Sequence, residues 1–218
     1  EQEAFKNCKI RIMPDVHAGK GCVIGFTGNL GDKVIPNIVG VDIGCGMLCV
    51  GLGDVELDLA ELDKNIRENI PSGMNEIPNP NFDLTTLRCY KELKNKDNWL
   101  EKSMGTLGGG NHFIEVDADE NNNKYLVIHT GSRNLGKQVA DIYQEKAVEH
   151  CSYKEEVVKE IEECIKTYKE QGRANEINNA LKQIKEKYKD KTKLPKDLCY
   201  LEGQWRDDYL HDMKLCQE

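Results

Sequence analysis

The chain has 218 residues, 39% of them hydrophobic and 31% charged, and a formal net charge of −8. That length suffices for one sizeable domain or one and a half small ones beneath a heavily solvated surface. The acidic balance argues against indiscriminate coating of nucleic acid and leaves any phosphate binding to local clusters, backbone N–H nests and metal ions.

Residues 8–50 alternate short apolar runs with glycine and proline: CKIRIMP, CVIGF, KVIPNIVGVDIG and MLCVGLG. This pattern predicts short strands joined by tight turns. In residues 56–70, Leu59, Leu62, Ile66 and Ile70 fall at helical spacing, and Pro71 and Gly73 stop the helix. A proline- and asparagine-rich loop follows over 75–81, and 84–104 reads as a second, weakly amphipathic helix. After Gly108–Gly110 come two strands, HFIEVD and KYLVIHT, and after the turn GSRNLG a helix through QVADIYQEKAVEH. Two lysine- and glutamate-rich stretches separated by Gly172 predict an antiparallel helical pair at the periphery, its charges a solvated face. From Leu198, YLEG leads into the helix-like WRDDYLHDMKLCQE. The expected organisation is a core over 1–149, a charged helical insertion over 150–197, and the start of a further part over 198–218. The expected fold is α+β, short mixed strands with glycine-rich turns packed against helices and a cleft at strand ends. The nine cysteines are odd in number and irregularly spaced. No leader opens the sequence and no apolar run nears the ~20 residues that span a bilayer. Reduced thiols in the cytoplasm are therefore expected, away from membranes.

The densest chemistry lies between Met13 and Met47, where Asp15, His17, Asp42 and Cys45 stand among eight glycines in 35 residues. Glycine lets a backbone approach a ligand closely. Asp42 and Cys45, in VDIGCG, are three residues apart, so one turn can aim a carboxylate and a thiolate at one ion. GTLGGGNHFIEV adds Asn111, His112 and Glu115; LVIHTGSRNLG adds His129, Ser132, Arg133 and Asn134. Each histidine sits where an apolar run meets a glycine-rich turn. A metal would bring Asp42, Cys45, His112 and His129 together. This mixed set lacks the paired spacing of a structural zinc site and suits a catalytic divalent site, with manganese, zinc and iron(II) all admitted by ligand softness. Taken singly, these residues have plainer readings. Asp42 and Cys45 could be a turn aspartate beside a buried thiol, and Glu115 a solvent-facing strand residue. His17 could be a turn residue, Lys20 a surface lysine and Arg133 half of an ion pair.

Four motifs in this order, MPDVHAGKGCVIG, VGVDIGCGM, GGGNHFIEV and HTGSRNLG, resemble the RtcB family of RNA ligases. The resemblance covers most of residues 10–140 and resumes at YLEG; 150–196 is its least specific part. It implies a GTP- and manganese-dependent ligase that joins RNA 3′-phosphate or 2′,3′-cyclic phosphate ends to 5′-hydroxyl ends, in tRNA splicing or RNA repair, through a histidine–GMP intermediate. Carried over by motif, Asp42, Cys45, His112 and His129 resemble the metal ligands, with Cys45 bridging two Mn²⁺ ions. Asp15 resembles a residue required for activity close to that centre, Asn111 and Glu115 resemble guanylate-contacting positions, and Arg133 resembles a phosphate-contacting one.

The family also implies a further metal-binding histidine and the guanylylated histidine, both downstream of the last helix here; His150 and His211 have neither context. The chain is thus expected to be a fragment holding part of the active site. A phosphoester metallohydrolase using the same four ligands, or a non-catalytic metal- or RNA-binding module, are the alternatives. Residues 1–218 alone should therefore take up no label from α-³²P-GTP with Mn²⁺ and join no RNA ends. Acid-sensitive label on this chain would instead make His150 and His211 the candidate nucleophiles.

Overall fold

Short apolar runs broken by glycine and proline fold as strands, and the lysine–glutamate stretches fold as helices, which gives the α+β class. The computed structural model describes residues 2–41, 43–78, 82–189 and 191–218. In chain order the elements are β1 (Ile10–His17), β2 (Ile24–Gly28), β3 (Lys33–Val34), α1 (Pro36–Val39), β4 (Gly46–Gly53), α2 (Leu59–Asn69) and α3 (Glu101–Ser103). There follow β5 (Phe113–Ala118), β6 (Lys124–Thr130), α4 (Asn134–His150), α5 (Lys154–Glu170), α6 (Ile177–Tyr188), β7 (Leu201–Glu202) and α7 (Gly203–Gln217). Two compact units result, one from residues 1–38 and 144–203, the other from 39–143 and 204–218. Among the described residues no helix is long and apolar enough to cross a membrane, and no disulfide forms.

In the first unit β1 and β2 form an antiparallel hairpin whose register jumps from Ile12↔Phe26 to His17↔Ile24. The surplus residues bulge out of the ladder and carry Asp15. β3 pairs with β7 through Val34↔Leu201, and Val34, Ile35, Cys199 and Leu201 are buried around that contact. The helices α5 and α6 form the antiparallel pair that Gly172 predicts. Glu160 accepts from Lys187 Nζ at 2.9 Å and from Tyr188 Oη at 2.7 Å, and Ile184 is the buried residue of α6.

The second unit is built on a three-stranded antiparallel sheet of order β4–β6–β5. Its apolar core includes Leu84, Leu87, Leu93, Leu100, Leu135, Val139, Tyr143 and Tyr209. Asp58 caps α2 by accepting from the backbone N–H groups of Ala60 and Glu61, both at 3.0 Å.

Residues 84–104 do not form the helix their apolar spacing predicts. They break into 3₁₀ turns at Leu84–Thr86 and Tyr90–Glu92, a wide turn over Lys96–Leu100, and α3. The physical reason is that side chains from distant segments take the amides a helix would need. Asp212, fully buried on α7, accepts from Arg88 N at 2.8 Å and Cys89 N at 2.9 Å, and Gln138 Oε1 accepts from Lys94 N at 2.7 Å. Asn95 then adopts a left-handed φ of 56°.

The Asp212 carboxylate also accepts from Tyr143 Oη at 2.8 Å and faces His211 Nδ1 at 3.0 Å. Burial pushes its pKa up. The hydrogen bonds from His211, the two amides and Tyr143 together outweigh burial and hold it below the ordinary aspartate value. Burial and the carboxylate together push the Tyr143 phenol up. A carboxylate with a lowered folded-state pKa contributes stability that is present above its unfolded value and lost as pH falls through the folded one. Asp212→Ala should lower the unfolding free energy by about 3 kcal/mol or more, because two amides and a phenol lose their acceptor. In urea melts, wild type should lose its advantage over Asp212→Asn as pH drops below about 4.

Candidate metal centre

β4 and β5 both run antiparallel to β6, with Gly46 opposite Thr130, Met47 opposite His129, and His129 opposite Phe113. The first residues of β4 and β5 and the last residues of β6 therefore meet at one end of the sheet. Cys45 immediately precedes β4, His112 immediately precedes β5, and His129 is the penultimate residue of β6. Register brings the three residues to one end of the sheet, and the turns before β4 and β5 set how Cys45 and His112 point. One ligand atom from each lies within 4.8 Å of the others. Cys45 Sγ stands 3.5 Å from His112 Nε2, and the two imidazoles meet edge to face with centroids 5.3 Å apart. All three residues are half-buried.

His112 is oriented from behind. Its Nδ1 lies 2.8 Å from the Leu107 carbonyl oxygen, which can only accept. Nδ1 therefore carries the proton and the Nε2 lone pair faces the Cys45 thiol, the arrangement in which a ligating histidine is fixed by its other nitrogen. Arg133 Nη1 lies 3.4 Å from the same Nδ1. Both are N–H groups in this tautomer, so that contact is packing and the carbonyl is the partner.

Two glycines make the approach possible. A Cβ at Gly131 would lie 2.8 Å from Cys45 Cα and closer still to its Sγ. A Cβ at Gly108, whose φ is +85°, would lie 2.8 Å from His112 Nδ1 and collide with the Arg133 guanidinium. Next to Gly131, the buried Ser132 hydroxyl donates to the Ile43 carbonyl and accepts from Gly136 N at 3.0 Å. It thereby ties the segment just before Cys45 to the first turn of α4.

Arg133 takes a left-handed φ of 58°, which turns the chain from β6 into α4. Its Nη2 donates to Gly73 O at 3.0 Å, and its Nε is buried with no partner among the described residues. Burial pushes the guanidinium pKa down, and the neighbouring Cys45 sulfur opposes this. The guanidinium is thus a cation held beside the candidate ligand cluster, with no ion pair among the described residues.

The other expected residues are distributed as follows. Asp42 lies outside the described residues. Asn111 and Glu115 are exposed, Asn111 in the turn before β5 and Glu115 on β5 opposite Val127. Residues 113, 115 and 129 project from one face of the sheet. Asp15 is exposed on β1, in the first unit, where its backbone carbonyl accepts from His17 Nδ1 at 2.8 Å. Lys20 makes a surface pair with Asp197 at 3.3 Å, of the kind worth little. Sequence reasoning did not identify the Leu107 carbonyl, the Thr130 hydroxyl that also bonds it, or the role of Ser132. Only the run His-Thr-Gly-Ser hinted at the two hydroxyls.

The donor set fits a divalent cation: a thiol and two imidazoles with ligand atoms within 4.8 Å of one another, and the His112 tautomer set by its carbonyl partner. Thiolate and imidazole together favour borderline ions. The family model described as "tRNA-splicing ligase RtcB" matches residues 4–99 and 87–218. The chain belongs to the RtcB family. Among curated relatives, RNA-splicing ligase RtcB of Escherichia coli K12 is 35% identical over 159 residues, covering 62% of this chain and 38% of the relative. RNA-splicing ligase RtcB homolog 1 of Entamoeba histolytica is 31% identical over 198 residues, covering 64% and 38%. The tRNA-splicing ligase RtcB of Nanoarchaeum equitans is 27% identical over 188 residues, covering 61% and 39%. These matches span about 38% of the length of such RtcB relatives.

Gly131→Ala should weaken Mn²⁺ or Zn²⁺ binding in calorimetry while the chain remains folded by circular dichroism. In mass-spectrometric mapping of alkylation, added Mn²⁺ should protect Cys45 and leave the exposed Cys49 unchanged. Equal labelling of an accessible Cys45 with and without saturating metal would contradict ligation.

Proposed function

We propose that this chain carries the metal-binding part of a GTP- and Mn²⁺-dependent RNA ligase. That enzyme joins RNA 3′-phosphate or 2′,3′-cyclic phosphate ends to 5′-hydroxyl ends through a histidine–GMP intermediate, in the cytoplasm. The convergence of Cys45, His112 and His129 within 4.8 Å carries the reading. Family membership and the printed names of the relatives, all RNA- or tRNA-splicing ligases, support it.

In this reading Cys45, His112 and His129, with Asp42, hold the Mn²⁺ ions, two in the complete enzyme. When bound, divalent ions neutralise phosphate charge and clamp attacking and leaving oxygens in line. The chain's own residues supply position. The Leu107 carbonyl orients the His112 imidazole, and Gly108 and Gly131 leave room for it and for Cys45. Arg133 offers a fixed guanidinium fork, whose planar geometry matches phosphate oxygens, to the RNA. Asn111 offers an amide donor to the guanylate and Glu115 accepts from it; both are exposed, as ligand contacts require. Asp15 is the further residue on which activity depends.

The test has two arms. Calorimetry on residues 1–218 should show Mn²⁺ binding that Cys45→Ala weakens strongly; equal affinity in both would remove Cys45 from the site. A protein carrying these residues together with the remaining length of its relatives should incorporate GMP from GTP and join the two RNA ends. Arg133→Ala in that protein should raise the KM for RNA by about tenfold or more, given the 1.5–3 kcal/mol of a hydrogen bond to a charged group. Release of inorganic phosphate from the 3′ end without GMP labelling or joining would identify a phosphoester hydrolase instead.

A further inference from the structure

The last residue of β6 links two of the ligands through a group that is not itself a ligand. Thr130 Oγ1 donates to the Leu107 carbonyl at 3.0 Å, with the Thr106 carbonyl 3.4 Å away. The same Leu107 oxygen takes the Nδ1–H of His112 at 2.8 Å. A carbonyl oxygen has two lone pairs, and here both are used. The Leu107 amide in turn donates to Pro71 O at 2.9 Å, which anchors the loop on its far side. Thr130 directly follows His129 in the chain. The hydroxyl therefore clamps the anchor of one imidazole to the strand that carries the other.

We propose that Thr130 is a positioning residue of the metal centre. Through the Leu107 carbonyl it holds His112 in the Nδ1–H tautomer and sets its spacing from His129. This rests on the reading of Cys45, His112 and His129 as metal ligands. A hydroxyl that merely satisfied itself at a strand end would have no effect on which nitrogen of His112 carries the proton. Valine at this site would keep the shape and the β-branch while removing the donor. Serine would keep the donor and lose only the methyl group.

The deciding measurement is histidine side-chain nitrogen NMR on the metal-free chain, at an alkaline pH where imidazole is neutral, together with Mn²⁺ calorimetry. Wild type should show His112 as the Nδ1–H tautomer. Without that hydroxyl the loop carrying Leu107 is free to move away from His112, so Thr130→Val should show mixed tautomers and Mn²⁺ affinity reduced about 10–100-fold, as for loss of an outer-shell partner. Thr130→Ser should match wild type in both. The proposal is overturned if wild-type His112 carries its proton on Nε2, if Thr130→Val changes neither readout, or if serine fails as valine does. Should valine prevent folding, the wild-type tautomer and the serine variant still decide it. Absence of Mn²⁺ binding by wild type would count against the metal reading, and the tautomer would then judge the role of Thr130 alone.

Discussion

The pairing of β6 with both β4 and β5 is the constraint on which the candidate site rests. In an antiparallel ladder, fixing one residue pair fixes every other, and a slip of one residue turns each side chain to the opposite face. Here the pairs Gly46↔Thr130 and Phe113↔His129 decide that Cys45, His112 and His129 share one end of the sheet. The loops then have only to orient Cys45 and His112 at that end and avoid filling the space, which is why glycine occupies positions 131 and 108.

Much of the apparatus around the cluster consists of backbone carbonyls, not side chains. The Leu107 oxygen holds His112, the Gly73 oxygen holds Arg133, and the Ile43 oxygen receives Ser132. Carbonyls are rigid, cannot be titrated, and stay where their loops put them. No charged side chain is then needed to hold His112 or Ser132 in place. Arg133 illustrates the balance: one nitrogen is tethered, and the guanidinium sits in partial burial that raises the free energy of its charged form.

The sequence displayed the strands, α2, the α5–α6 pair and the candidate ligands because each is a local signal: apolar period, glycine spacing, or a histidine at the end of an apolar run. What it did not display is instructive. Residues 84–104 have helical apolar spacing, yet Asp212 and Gln138 capture their amides. Both captors are side chains tens of residues away or more, so no window over 84–104 contains the cause. The Leu107 carbonyl was equally hidden, since every residue has one and only the fold selects which is used. Asp15 was legible as chemistry from MPDVH, while the bulge that presents it depends on pairing with β2.

More than 120 positions of chain separate the Asp212 carboxylate from its two amide partners, Arg88 N and Cys89 N. During synthesis, which proceeds from the N-terminus, the segment around Arg88 and Cys89 leaves the ribosome long before its acceptor exists. Domains fold as units while the chain emerges, and the second unit contains a loop closure from residue 88 to residue 212. The sheet β4–β6–β5 draws only on residues up to Thr130 and can assemble earlier. The amides near residue 88 stay bonded to water until α7 arrives. Completion of this core thus serves as a timing mark: its interior closes only once α7 has been translated.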